Sequence, residues 1–387
     1  MDGPRRRVEA ATRPLSSEHY HHGPARSLNP TPANSAPLWE TLLHTLRLIH
    51  EVSSTVALLA LGVVIPEARN WATSIGMGKN FDPERDIGSL EGKIVLVTGG
   101  NAGLGKQTIA YLSSHKPTRI YLAARTASKA RDAIADIRSS VPHACEIIHL
   151  PLDLSSFSSI ASAASTFQSR ESRLDMLINN AGVMACPYGT TQEGYETQFG
   201  TNHMGHALLT KLLLPTLLET AKQPGADVRV ISLSSIGHHL APAGGIPFDQ
   251  RALEQVNTWR RYGVSKLANI LFARELASRY PQLTSVSVHP GLIFTDLYQS
   301  LRANFFLKIG IWIYGWLAMV LPGHYKDTRG GALNQVWCAS ARKEELKNGA
   351  FYTPVGKVNA GSKWARDEGL QKKLWEWTEG ELEKHGY

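Results

Sequence analysis

Cysteine is scarce. The three present (Cys145, Cys186, Cys338) form no Cys-x-x-Cys pair and adjoin no histidine cluster, so neither a disulfide framework nor a metal site is expected. A reducing compartment fits. Blocks of like charge are also lacking. Apart from Arg5-Arg6-Arg7, the basic residues behind the net charge of +8 are scattered. The concentrated basic stripe with aromatic partners that nucleic-acid binding needs is missing. The positive excess is read as serving solubility, an anionic cofactor or weak attraction to a lipid surface. No apolar core follows the basic start, as a secretory signal would require. The charge-free run 52–65 stops at fourteen residues, short of the roughly 18 expected of a membrane span.

Residues 1–37 are rich in Pro, Ser, Arg and His and poor in large aliphatics, which predicts a disordered tail. His19, His21 and His22 fall within it and are read as tail residues. Leu38, Trp39, Leu42, Leu43, Leu46 and Ile49 share one helical face. With the run 52–65 they form an apolar helical extension, followed by a linker to residue 88. Three readings stand for the extension: a helix in the membrane interface, a signal anchor, or a helix packed on the next domain. The reading favoured is association with a membrane surface.

The chain is organised around residues 93–110. Ile94, Val95, Leu96 and Val97 make a short apolar run suited to a strand buried on both faces. Glycines follow at 99, 100, 103 and 105, where a tight turn lets backbone N–H groups approach a pyrophosphate. Ile109, Tyr111 and Leu112 then fit a helix whose positive end faces that phosphate. Further strands are predicted at 119–124, 146–150, 174–178, 228–233 and 284–289, with a short last one at 350–353. Helices are predicted at 328–341 and 367–384, the latter charged and amphipathic. Strands alternating with helices imply right-handed crossovers and an α/β Rossmann-type, doubly wound parallel sheet.

The spacing Thr98-Gly99-x-x-x-Gly103-x-Gly105 resembles the cofactor turn of the classical short-chain dehydrogenases/reductases. That family also carries Tyr-x-x-x-Lys, present here as Tyr262-Gly-Val-Ser-Lys266. The resemblance covers about residues 90–355. It implies a cofactor site made of Thr98, Gly99, Asn101, Gly103, Leu104, Gly105, Arg125, Lys129, Asp153, Asn180, Ala181, Tyr262, Lys266, Pro290, Gly291 and Thr295. Asp153 would touch the adenine, or cap a helix beginning near Ser155. Asn180-Ala181-Gly182 matches a turn lining the cofactor, and Thr295 would hold the nicotinamide carboxamide. Asn202 matches a position whose backbone carbonyl holds a water near the catalytic lysine, or else forms a hydrogen-bonded kink. His203 and His206 are read as ordinary helix residues.

The resemblance also implies a catalytic set of Ser235, Tyr262, Lys266 and Asn202. Moving hydride to a carbonyl carbon develops negative charge on oxygen, so a proton donor must stand beside it. Lys266, one turn from Tyr262, is expected to lower the phenol's pKa. The insertion between Ser235 and Tyr262 is similar to that of retinol-dehydrogenase-like members. Residues 305–321, apolar and aromatic, are read as part of a substrate lid (292–327) or a segment dipping into a bilayer.

Together these imply a disordered tail (1–37), an extension with linker (38–88) and one catalytic domain (89–387). The expected activity is NADP(H)-dependent interconversion of a carbonyl and an alcohol on a lipophilic molecule, with a role in secondary metabolism. A retinoid or steroid dehydrogenase and a non-catalytic NADP(H)-sensing protein are the alternatives. A membrane surface on the cytoplasmic side is the expected location, a soluble cytoplasmic one the alternative. A homodimer through the helices carrying Asn202 and Tyr262 is expected by analogy. NADP rather than NAD follows from Ala123-Ala124-Arg125, where an NAD enzyme places a carboxylate. Glutamate in place of Arg125 is therefore expected to shift preference from NADPH towards NADH. Cofactor titrations check this, and unchanged preference would sink the assignment.

Overall fold

The computed structural model describes residues 78–293, 324–325 and 327–387. The tail, the helical extension, most of the linker, Thr295 and nearly all of the expected lid lie outside the described residues.

Strand β1 (Ile94–Thr98) is buried along its whole length. Its side chains alternate between two cores, Ile94 and Leu96 in one, Val95 and Val97 in the other. That is why it reads as an unbroken apolar run. Strands β2 (Arg119–Ala124), β3 (Glu146–Pro151), β4 (Met176–Asn179), β5 (Arg229–Leu233) and β6 (Thr284–Val288) lie parallel to it.

Outside the main sheet, β7 (Leu292–Ile293) pairs with β8 (His324–Tyr325). The main sheet continues through β9 (Phe351–Thr353), parallel to β6, and β10 (Lys357–Asn359), antiparallel to β9. The order is β10-β9-β6-β5-β4-β1-β2-β3. β10 is an addition to the expected strands. Its three residues are too short to show a periodic pattern and pair through a tight reversal.

Helices α1 (Gly103–Ser113) and α2 (Ala127–Ser140) send Ile109, Leu112, Ile134 and Ile137 into one core. Helices α3 (Phe157–Gln168), α4 (Gly205–Ala221) and α5 (Thr258–Arg279) fill the other face. Helix α6 (Thr328–Ser340) returns to the first face, and α7 (Glu368–Lys384) to the second. This is the doubly wound arrangement expected. Strand order reverses between β1 and β4, so a crevice opens beyond their C-terminal ends.

The linker is less loose than its glycines suggest. Asp82 caps a single helical turn at Pro83–Asp86. Lys79 donates its backbone N–H to Val355 (2.8 Å). The described chain is therefore docked on the sheet domain ten residues before the expected domain start. At the starts of β2, β3 and β5, Arg119 pairs with Glu146 and Glu171, and Arg229 with Asp227. Asp175, fully buried, accepts from Ile94 N (2.9 Å) and from Arg173 Nε (2.7 Å). It ties the starts of β1 and β4 together. Asp175→Ala leaves the buried Ile94 N–H without its acceptor and the part-exposed Arg173 and Lys93 without their carboxylate, and is expected to cost about 1–3 kcal/mol, measurable as a lower urea midpoint.

Candidate active site

The glycine turn leaves β1 at Gly99 (φ +66°) and enters α1 at Gly103 (φ +53°), backbone shapes that favour glycine. A Cβ on Gly105 would lie 2.4 Å from the Gly99 carbonyl oxygen, so helix and turn are in contact there. Ala102 precedes α1 without a side-chain cap, and the first turn has no acidic residue. Its N–H groups and positive end thus suit an anionic phosphate. Asn101 and Leu104 stand half-buried in the same turn.

Thr98 joins this turn to the one after β4. Its hydroxyl oxygen accepts from the N–H groups of Asn180 and Ala181 (2.9 Å each). Asn180 Nδ2 returns a bond to the Thr98 carbonyl (2.8 Å). Gln335 of α6 donates to Asn180 Oδ1 (3.2 Å) and to Thr108 of α1. After β6, Asn334 donates to the carbonyl of His289 (2.7 Å), next to Pro290 and Gly291 (φ +100°).

Arg125 and Lys129 are exposed beyond β2. Arg125, with 74% of its side chain accessible, lies 3.6 Å from Asp153. A pair this long and exposed is worth little, leaving the guanidinium available to an anion. Burial raises the Asp153 carboxyl, but hydrogen bonds from Ser155 and the Arg125 charge outweigh it, so its pKa falls below the ordinary value. Asp153 is not the cap of the next helix. Its Oδ1 accepts from Ser155 N (3.0 Å) in a local turn, while Ser156 caps α3, which starts two residues later than expected.

Ser235, Tyr262, Lys266 and Asn202 converge beyond β4 and β5. A Cβ on Gly237 would lie 3.0 Å from Tyr262 Cε1 and 3.3 Å from Ser235 Oγ, so these side chains meet around it. Ser234, the other serine of the pair, is buried and donates to the Lys266 carbonyl (2.7 Å). Ser235 is thus the serine facing the phenol. Lys266 Nζ donates to the Leu233 carbonyl (3.0 Å) and lies 5.7 Å from the Tyr262 ring centre.

The electrostatics differ from expectation. Burial pushes the Tyr262 phenol up to about 12, against a smaller downward pull from Ser235. Burial also brings Lys266 down to about 8, a value at which it still carries its charge at neutral pH. Sequence spacing shows that the two groups are neighbours; it does not show that both are desolvated.

Asn202 lies in a π-helical turn, Gly200–Met204, leading into α4. Its side chain bonds Val183 N (2.8 Å), Val183 O (2.9 Å) and Ser265 Oγ (2.9 Å). The hydrogen-bonded kink is therefore present.

His203 and His206, read from the sequence as ordinary helix residues, and His238, given no role there, are all buried and hydrogen-bonded. His203 Nε2 is 3.0 Å from Thr378 of α7. His206 Nε2 is 2.8 Å from Thr98 Oγ1, and its Nδ1 is 3.0 Å from the Asn202 carbonyl. His238 Nδ1 meets the Ser235 carbonyl (2.7 Å), and its Nε2 accepts from Ser362 N (3.0 Å). Burial lowers all three, His203 to about 3 and His206 to about 4. For His206, the one available signal was its place four residues after Asn202, one helical turn on.

Comparison with known proteins follows this geometry. The family model described as short chain dehydrogenase matches residues 93–247. Short-chain dehydrogenase/reductase drtF of Aspergillus calidoustus is 37% identical over 76% of this chain and 95% of its own length. Retinol dehydrogenase 12 of Mus musculus is 37% identical over 74% of this chain and 85% of its own. A crystal structure of an uncharacterized protein from Mycobacterium Paratuberculosis superposes with a TM-score of 0.58 at 28% identity. It covers 79% of this chain and 98% of that one.

The buried lysine gives a measurable signature. An unfolded lysine keeps its proton to about 10.5, whereas folded Lys266 releases it near 8. Between those values the unfolded chain binds more protons, so stability rises with pH. The charged form costs the fold about 3 kcal/mol below that window. Lys266→Met is expected to remove this rise, seen by comparing urea midpoints of the two proteins from pH 7.5 to 9.5 without cofactor.

Proposed function

The chain belongs to the short-chain dehydrogenase/reductase family, in its retinol-dehydrogenase-like branch, and from that premise we propose that it interconverts a ketone or aldehyde and the matching alcohol on a lipophilic substrate with NADP(H). The observation carrying this reading is the meeting of Ser235 and Tyr262 around Gly237, with Lys266 behind them.

The cofactor, when bound, supplies or accepts the hydride. Thr98, Gly99, Asn101, Gly103, Leu104 and Gly105 would hold its pyrophosphate side, and Asn180, Ala181, Pro290 and Gly291 would line the turns beyond. Arg125 and Lys129 would face the ribose phosphate, which favours NADP(H). Asp153 sits beside Arg125 at the adenine end.

Ser235 Oγ would hold the substrate oxygen. Tyr262 would pass its phenolic proton to that oxygen as charge develops. A phenol held near 12 keeps its proton at neutral pH, so it stands as the protonated form beside the substrate oxygen. Lys266 would bind ribose hydroxyls. Met184, Ala185 and Trp259 pack with Tyr262, an apolar wall that favours a lipophilic substrate.

A tailoring role in secondary metabolism draws support from the fungal relative and from the aromatic stretch 305–321. The likeness to retinol dehydrogenase 12 supports a retinoid or steroid substrate as a second reading. Membrane association rests on the apolar run 52–65; among the described residues no helix is long and apolar enough to cross a membrane. Pairing of two copies through α4 and α5 would have to accommodate α7. Trp375 of α7 stacks on Phe272 (5.1 Å), and Glu379 pairs with Lys211 (2.7 Å).

The test is NADPH oxidation against lipophilic ketones, aldehydes and quinones, with Tyr262→Phe in parallel. Turnover is expected to fall by about 10²-fold or more in the variant. Tight NADPH binding with no turnover across the panel would instead favour a cofactor-sensing protein.

A further inference from the structure

His206 is almost completely buried, yet both of its ring nitrogens are engaged. The proton positions follow from its neighbours. The Asn202 carbonyl can only accept, so Nδ1 carries the hydrogen. In a neutral ring Nε2 is then bare and must accept. Its partner, the Thr98 hydroxyl, already accepts from Asn180 and Ala181 and has one proton to give.

The same accounting continues past Asn202. Val183 N can only donate and Val183 O only accept, which fixes the Asn202 amide. Its Nδ2 donates to Ser265 Oγ (2.9 Å), and Ser265 donates to the Tyr262 carbonyl (2.8 Å). Side-chain hydrogen bonds thus run in one direction from Thr98 to His206, then onward from Asn202 to Ser265 and Tyr262. Only the Asn202 main chain separates the two stretches. Such aligned donors polarise one another.

We propose that His206 is a positioning residue coupling the cofactor turns, through Thr98, to the Asn202 carbonyl and the helix that carries Tyr262 and Lys266. The assignment rests on the reductase reading above. His206 touches neither substrate nor cofactor. It sets the direction of the Asn202 carbonyl and holds the Thr98 hydroxyl that seats the Asn180-Ala181 turn. The ring does this only as the neutral, Nδ1-protonated form, which its burial favours.

The experiment combines His206→Leu, His206→Gln, Thr98→Val and the double variant Thr98→Val/His206→Leu. Each is measured by NADPH titration and by kcat and KM on the best substrate of the panel. Losing the linking bonds in His206→Leu is expected to weaken NADPH binding by roughly five- to tenfold. Its kcat should fall about tenfold with the carbonyl KM unchanged. His206→Gln offers a donor and an acceptor at similar spacing and should recover most of both losses. The double variant should lose less NADPH affinity than the two single losses multiplied together, because the Thr98–His206 bond is common to both.

Additive losses, or a His206→Leu protein equal to the parent in binding and turnover, would overturn the proposal. The histidine ring nitrogens provide a readout that needs no folded Leu variant. NMR of labelled parent protein, assigned with His206→Gln, should show the Nδ1–H form without titration from pH 5 to 8. An Nε2–H form, or titration in that range, overturns the assignment. A parent protein that binds NADPH but turns over nothing would count against the reductase reading, and the binding comparison would still decide the role of His206.

Discussion

The Thr98 hydroxyl sits where the sheet reverses its strand order, and much of the site depends on it. β1 must end in a turn open enough for a phosphate, and β4 must end in a turn that stays clear of it. Neither turn has a regular ladder to hold it. One buried oxygen accepting two backbone N–H groups replaces that ladder, and its remaining proton reaches α4 through His206. Because a buried polar group left without a partner costs about as much as a lost hydrogen bond, the arrangement resists partial disruption. The crevice required by the topology is thus kept in shape by side chains from β1, the β4 turn and α4.

Much of this was legible in the sequence, for identifiable reasons. β2 runs from Arg119 to Ala124 as expected, and the other parallel strands differ by a residue or two, because strands buried on both faces are written as apolar β-branched runs. The glycine turn and the Tyr262–Lys266 spacing are local patterns set by backbone shape and helical pitch. What stayed hidden depends on partners far apart in sequence. His206 meets Thr98 across 108 positions, and His238 meets Ser362 across 124. Asn334 and Gln335 were also missed, since nothing in a helix says which turn it will lie against. Helix α7 could be read as amphipathic, but not that its apolar side would settle on α4 and α5.

Burial was the other hidden variable. A tyrosine and a lysine one turn apart suggest a lowered phenol, if water is thought to surround them. Here both are enclosed, and desolvation moves each towards its neutral form. At neutral pH the phenol retains its proton, and the amine, brought down to about 8, still carries its charge. The neutral histidines nearby follow the same logic. They supply direction through hydrogen bonds without adding charge to an already dry site.

Helix α7 contributes Leu374, Trp375 and Leu382 to the same core as α4 and α5. During synthesis the glycine turn and the Tyr262 helix leave the ribosome well before these residues do. Until α7 arrives, the outer faces of the two site-bearing helices lack the apolar cover that the finished fold gives them. The half of the chain that reads as complete from its motifs therefore lacks, on its own, the apolar cover that α7 gives the two site-bearing helices.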